Sequence, residues 1–144
     1  MPEILVSFSV PGPPRGKGRP RTAVIGGFAR FYTPAETVSE EGAVRLFAKA
    51  AMAGREPFQA PMDVRLFAYL PIPQSWSKVK QARAVSGELL PAKKPDHDNI
   101  TKLVCDAMNG IVYGDDCQVT MFVIRKRYSA EPRVVVQVRL DEGA

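Results

Sequence analysis

The chain has 144 residues, 45% of them hydrophobic, and its 20 Lys plus Arg against 15 Asp plus Glu leave a formal net charge of +5. That length suits one core-forming domain, residues 1–144. No run approaches the roughly 18 apolar residues of a membrane helix, and Glu3 with no basic stretch before it argues against a signal peptide. Two cysteines and one histidine make neither a disulfide framework nor a zinc site, so the expectation is a cytoplasmic chain with free thiols at Cys105 and Cys117.

Ile4, Val6, Phe8 and Val10 alternate with other residues and predict a first strand. A loop follows, PGPPRGKGRPRT, with Arg15, Lys17, Arg19 and Arg21 and no acid among them. TAVIGGFARFYT reads as a hairpin around Gly26-Gly27. Thr33-Pro34 starts a helix whose apolar positions are Val38, Val44, Leu46, Phe47, Ala50 and Ala51, ending near Gly54. Residues 62–70 alternate as a strand through Val64, Leu66, Ala68 and Leu70, and a short helix carries Lys78, Lys80 and Arg83 after Trp76. Ile100, Leu103, Val104, Ala107 and Met108 have the spacing of a second long helix, stopped by Asn109-Gly110. Two β-rich runs, 117–128 and 132–140, close the chain. The order predicts an α+β domain, a mixed sheet packed against two or three helices.

The charge average conceals a segment of opposite sign. Five aspartates, at 96, 98, 106, 115 and 116, fall between Lys93-Lys94 and Val119. Pro95 favours extended backbone, so Asp96 and Asp98 are expected to point together with His97 turned away and partly buried. Asp98 is expected to cap the helix, with Lys102 and Asp106 one and two turns on along the same polar face. If Ile111–Tyr113 doubles back, Asp115 or Asp116 returns to the Asp96/Asp98 end. Carboxylates so close repel one another unless a hard divalent cation compensates them. Acids with one lysine among basic loops suggest Mg²⁺-dependent phosphodiester chemistry. Tyr113-Gly114-Asp115-Asp116 also copies the metal-binding turn of RNA-dependent polymerases, but a polymerase cannot fit in 144 residues.

Asp96-His97-Asp98-Asn99, Lys102, Asp106 and Asp115-Asp116-Cys117-Gln118, in that order and spacing, resemble the motif of the RusA-type Holliday junction resolvases. The resemblance is strongest over 93–119 and extends loosely to the first strand, the basic loop and the segment around Trp76. It implies a RusA-like homodimer that cuts four-way, branched DNA by paired nicks, using Mg²⁺ with Mn²⁺ as a substitute. Asp96, Asp98 and Asp116 would be the metal-binding carboxylates, joined by Asp115, and Lys102 the catalytic lysine. Asn99, Asp106 and Gln118 would support them. Arg15, Lys17, Arg19, Arg21, Lys93 and Lys94 become candidates for phosphate contact. The aromatics Phe28, Phe31 and Tyr32 fit a junction wedge or, more often, a core. A nuclease for flaps or forks, and a branched-DNA-binding protein that does not cut, are the alternatives.

Overall fold

Alternating apolar side chains build the sheet, and its one buried face decides where the helices go. The computed structural model describes residues 3–18, 21–25, 28–32 and 35–144, with the side chains of 19–38 outside the description. Strand β1 is Ile4–Pro11, β2 Arg21–Ile25, β3 Phe28–Tyr32, β4 Met62–Pro71, β5 Val119–Ser129 and β6 Arg133–Leu140. Helices are α1 Ala35–Met52, α2 Lys78–Val85 and α3 His97–Met108. β2 and β3 pair as the expected antiparallel hairpin. The other four strands form one mixed sheet in the order β1-β6-β4-β5. β6 is antiparallel to β1 and β4, while β4 and β5 run parallel. A parallel neighbour needs a crossover, and α2 and α3 supply it between β4 and β5. The result is the α+β domain that the order of elements predicted.

Val6, Phe8 and Val10 of β1, Val64 to Leu70 at alternate positions of β4, and Val134, Val136 and Val138 of β6 are buried. Against them pack Val44, Ala48 and Met52 of α1 and Ile100, Leu103, Val104, Ala107 and Met108 of α3. The apolar face predicted for α1 needs one correction. Leu46 is 67% exposed and Ala50 is exposed too, because Leu46 lies about 200° around the helix from Val44 at 3.6 residues per turn. The buried positions are four apart, a narrow stripe that suits a helix at the end of the sheet beside β1.

The C-terminus of α3 is closed with unusual completeness. The Cys105 carbonyl accepts from the hydroxyl of the fully buried Tyr113 at 2.7 Å. Ala107 O accepts from Arg45 on α1 at 3.1 Å, and Met108 O from the Ile111 and Val112 amides. Asp106 O takes the Asn109 amide. Every one of the last carbonyls that a helix leaves open therefore has a donor. Gly110, at φ 75°, makes the turn that lets Tyr113 come back onto its own helix.

Candidate active site

Helix α3 begins two residues earlier than the Asp98 cap expected from sequence. Asp96 is the N-cap (φ −69°, ψ 148°), and Asp98 lies inside the first turn. The Lys94–Pro95 bond is cis, and the chain turns helical directly after Asp96. The extended run expected through Asp98 therefore ends at Asp96, while both acids border one hollow. His97 is exposed rather than partly buried.

Two adjoining hollows meet at these acids, and Asp98 lines both. One, of about 570 Å³, lies between α3 and β5 and is lined by Asp98, Lys102, Asp106 and Asp116 above an apolar floor of Val119, Phe122 and Ile124. The other, of about 520 Å³, is lined by Asp96, Lys93, Lys94 and Lys126. His97 and Asp98 border both. The predicted face Asp98–Lys102–Asp106 is thus real, and Asp116 joins it from a segment beyond the helix. Among the described residues, no three His, Cys, Asp or Glu side chains gather closely enough to hold a metal ion by themselves. The Asp98 carboxylate accepts from the Asn99 amide at 3.0 Å. Asp96, at an N-cap, makes no side-chain capping bond. A capping acid normally satisfies one of the open amides, so this carboxylate is left uncommitted beside three lysines.

Asp115 and Gln118 brace Asp116. The 3-10 turn Asp116–Gln118 is held by a capping box in which Asp115 accepts from the Cys117 amide at 3.3 Å. Gln118 Oε1 accepts from the Gly114 and Asp115 amides at 2.8 and 3.0 Å. Its Nε2 donates to the carbonyls of Phe58 and Ala60 at 2.8 and 3.1 Å. One amide side chain thereby ties the turn to the segment preceding β4. The two neighbouring acids titrate in opposite directions. Hydrogen bonds from Cys117 lower Asp115, whereas Asp116 is raised, first by desolvation and then by the charges of Asp115 and Asp106. Asp115 is committed to the turn and is not among the residues lining the cleft.

The basic loop that has no acids in sequence acquires them in space. Arg15 pairs with Glu40 at 3.1 Å and Lys17 with Glu41 at 3.2 Å, both on α1. Lys17 also bonds to Asp106 in the cleft, and this hydrogen bond, followed by the Glu41 contact, raises its pKa against the opposing effect of burial. The Lys17 amide donates to the Asn99 carbonyl at 3.0 Å, so Asn99 anchors the loop through its backbone. Arg19 lies outside the described residues, and Arg21 is placed in β2 with its side chain undescribed, as are those of Phe28, Phe31 and Tyr32. Lys93 and Lys80 sit over the Tyr128 and Trp76 rings, 5.6 and 4.1 Å from the centroids. Lys126 Nζ donates to the Lys93 carbonyl.

Gly16 is where this loop touches α3. A Cβ there would stand 2.8 Å from the Asn99 Cβ and 3.4 Å from that of Pro95. Gly16→Ala is expected to push the loop off the start of α3 at a cost of about 1 kcal/mol, lowering the melting temperature by about 4 °C. A thermal scan checks it; a wild-type value would show that the loop does not dock here.

An α+β fold that presents acids, a lysine and basic margins around one cleft has the makings of a phosphodiester nuclease. The family model described as "Endodeoxyribonuclease RusA" matches residues 11–139, which include the whole cleft and every helix and strand apart from β1, of which only Pro11 is matched, and the last residue of β6. The chain belongs to the RusA endodeoxyribonuclease family and is in that sense a nuclease. It is also similar to "Uncharacterized protein YqaN" of Bacillus subtilis (strain 168), 37% identical over 139 residues, covering 93% of this chain and 95% of that protein.

Proposed function

We propose that this chain resolves four-way DNA junctions as a Mg²⁺-dependent homodimeric endonuclease of the cytoplasm, making paired, symmetric nicks, with Mn²⁺ able to replace Mg²⁺. The observation that carries the reading is the meeting of Asp98, Lys102, Asp106 and Asp116 in one cleft. Its donors fit a hard cation: all are carboxylate oxygens, and the ionised Asp116 is held against desolvation and like charge, which a cation would relieve. Carboxylates reaching one cleft from two elements suit Mg²⁺, which keeps several waters and is bound through one or two carboxylates together with substrate phosphates. When bound, such an ion supplies charge stabilisation at the phosphate and an activated water.

The chain's own groups do the rest. Asp98 and Asp116 offer oxygen ligands from two elements, and Asp96 borders the adjoining hollow without a capping bond. Lys102 sets a positive charge where the pentavalent phosphorus develops negative charge. Asp115 and Gln118 position Asp116, and Lys17 restrains Asp106. Lys93 and Lys94 border the adjoining hollow as phosphate contacts, with Arg15, Arg19 and Arg21 on the loop side. One chain carries one cleft, so two opposed cuts need two chains.

The test is cleavage of labelled four-way junction, fork, flap and duplex DNA side by side with Mg²⁺. Paired nicks in the junction, with duplex intact, are expected. Faster cutting of flaps or forks would make the protein a nuclease for other branched DNA, and tight binding without cutting under any divalent ion would make it a binding protein. Lys102→Ala is expected to slow cleavage by roughly 10²-fold or more at an unchanged melting temperature. Because Asp116 is raised, its ligand form is lost earlier as pH falls, so the acid limb of the rate profile should lie above that of an ordinary aspartate.

A further inference from the structure

The sheet has a second face that the cleft does not use. Strand partners share a face, and the register places Arg127, Tyr69 and Arg133 side by side across β5, β4 and β6. The next row is Arg125, Phe67 and Val135. These positions alternate with the buried Leu66, Ala68 and Leu70 of β4 and with Phe122 and Ile124 of β5, which floor the cleft. They therefore lie on the opposite side of the sheet. All six are half-buried or exposed.

The charge on this face is one-sided. Five arginines stand on it, Arg65 and Arg139 in addition to Arg125, Arg127 and Arg133, against the single strand acid Asp63. Asp63 is already engaged by Arg139 at 3.1 Å and Arg65 at 3.3 Å. Arg125 is exposed and makes no hydrogen bond or ion pair with the described residues. Arg127 donates only to the neighbouring Lys126 carbonyl. Arg133 lies over the Tyr69 ring, 4.1 Å from its centroid, and donates to the Glu131 carbonyl and Ser129 hydroxyl. Two aromatics two residues apart on one strand are separated by roughly 6.8 Å, framed by guanidinium groups in both rows.

We propose that this face is a second nucleic-acid surface that takes an unpaired DNA strand. Bases stack on Phe67 and on the Arg133 guanidinium that Tyr69 supports, while Arg125 and Arg127 meet the phosphates, the combination by which single strands are held without sequence readout. The chemistry favours this occupant over two others. A second copy of the chain would bring the same arginines against one another, and an intact duplex would offer phosphates but leave the aromatic centre without unstacked bases to cover. A strand held here is separated from the cleft by the thickness of the sheet, so the proposal stands apart from the junction-cutting reading.

The experiment reads binding alone, by fluorescence anisotropy of the intact protein with EDTA present. The probes are a single-stranded DNA of about 16 nucleotides and a duplex of equal length. The single strand is expected to bind more tightly. Tyr69→Leu should weaken it about fivefold or more, whereas Tyr69→Phe, which keeps the ring, should not. Arg125→Ala combined with Arg127→Ala should lower the slope of log affinity against log salt by about 1.4. Melting temperatures confirm folding, and the arginine pair keeps the test decisive if Tyr69→Leu fails to fold. Equal affinity for duplex and single strand, an unchanged slope, or an arginine variant that instead changes the oligomeric state would overturn the proposal. Loss of junction cleavage by itself would not, since no outcome here depends on metal or on cutting.

Discussion

Asp116→Asn is expected to reduce junction cleavage by roughly 10³-fold while leaving junction affinity within a few-fold of the parent. Its carboxylate is raised by desolvation and by the charges of Asp115 and Asp106. A folded-state pKa above the ordinary value means the fold holds that proton more tightly. The resulting penalty is absent below the unfolded pKa and complete once the pH exceeds the folded one. Removing the charge should therefore leave the melting temperature at neutral pH unchanged or slightly higher. Inactivity with undiminished stability is the signature of a group kept for chemistry rather than for folding. Retained cleavage would remove Asp116 from the site, and a lower melting temperature would mean that its charge serves the turn.

The largest effect on stability is expected at Asp63, for the opposite reason. Asp63 is 6% exposed and compensates two guanidinium groups, one of them on the mostly buried Arg139. Asp63→Ala strands those charges between β4 and β6 and should cost about 3 kcal/mol, against a total of about 5–15 kcal/mol for a domain of ordinary stability. Denaturant unfolding measures it directly. Asp63→Leu combined with Arg139→Met should recover much of the loss, because the cost lies in the unpaired charge rather than in the missing bond. Failure of the double variant to recover would locate the cost in packing instead.

Asp63 also shows where a linear reading stops. Nothing near it distinguishes an acid in a strand from a solvated charge; its partner Arg139 is 76 residues away. The same holds for Lys17. Among its sequence neighbours it is one cation in a loop without acids, yet α1 and α3 supply Glu41 and Asp106. Arg15 is likewise answered by Glu40. Two of the four loop cations proposed as phosphate contacts are thus already partnered within the chain, and an incoming phosphate must compete with those carboxylates. Helix α3, by contrast, was legible almost entirely, because its apolar spacing and the Asn109-Gly110 stop are local. Only its first turn was misjudged. The start depends on where the chain leaves Pro95, and that moved Asp96 to the cap and put Asp98 inside the first turn.

What the sequence by itself determined is the inventory and the periodicity. It named the strands and helices, the α+β class, and the acids and lysine whose order and spacing mark the family. Side-chain periods of 2 and 3.6 are properties of short segments, and they survive any arrangement of those segments. Only the tertiary structure decided who stands beside whom. It brought Asp116 to Asp98 and Lys102, placed Asp96 in an adjoining hollow that Asp98 also borders, answered Arg15 and Lys17 with acids, and left one face of the sheet lined with arginine and aromatic side chains. Those outcomes depend on strand order and register, which arise from the burial of the whole core at once. The net charge of +5 therefore averages over unlike surfaces, among them an acidic cleft, a loop whose Arg15 and Lys17 are answered by acids, and an arginine-rich sheet face that no local pattern announced.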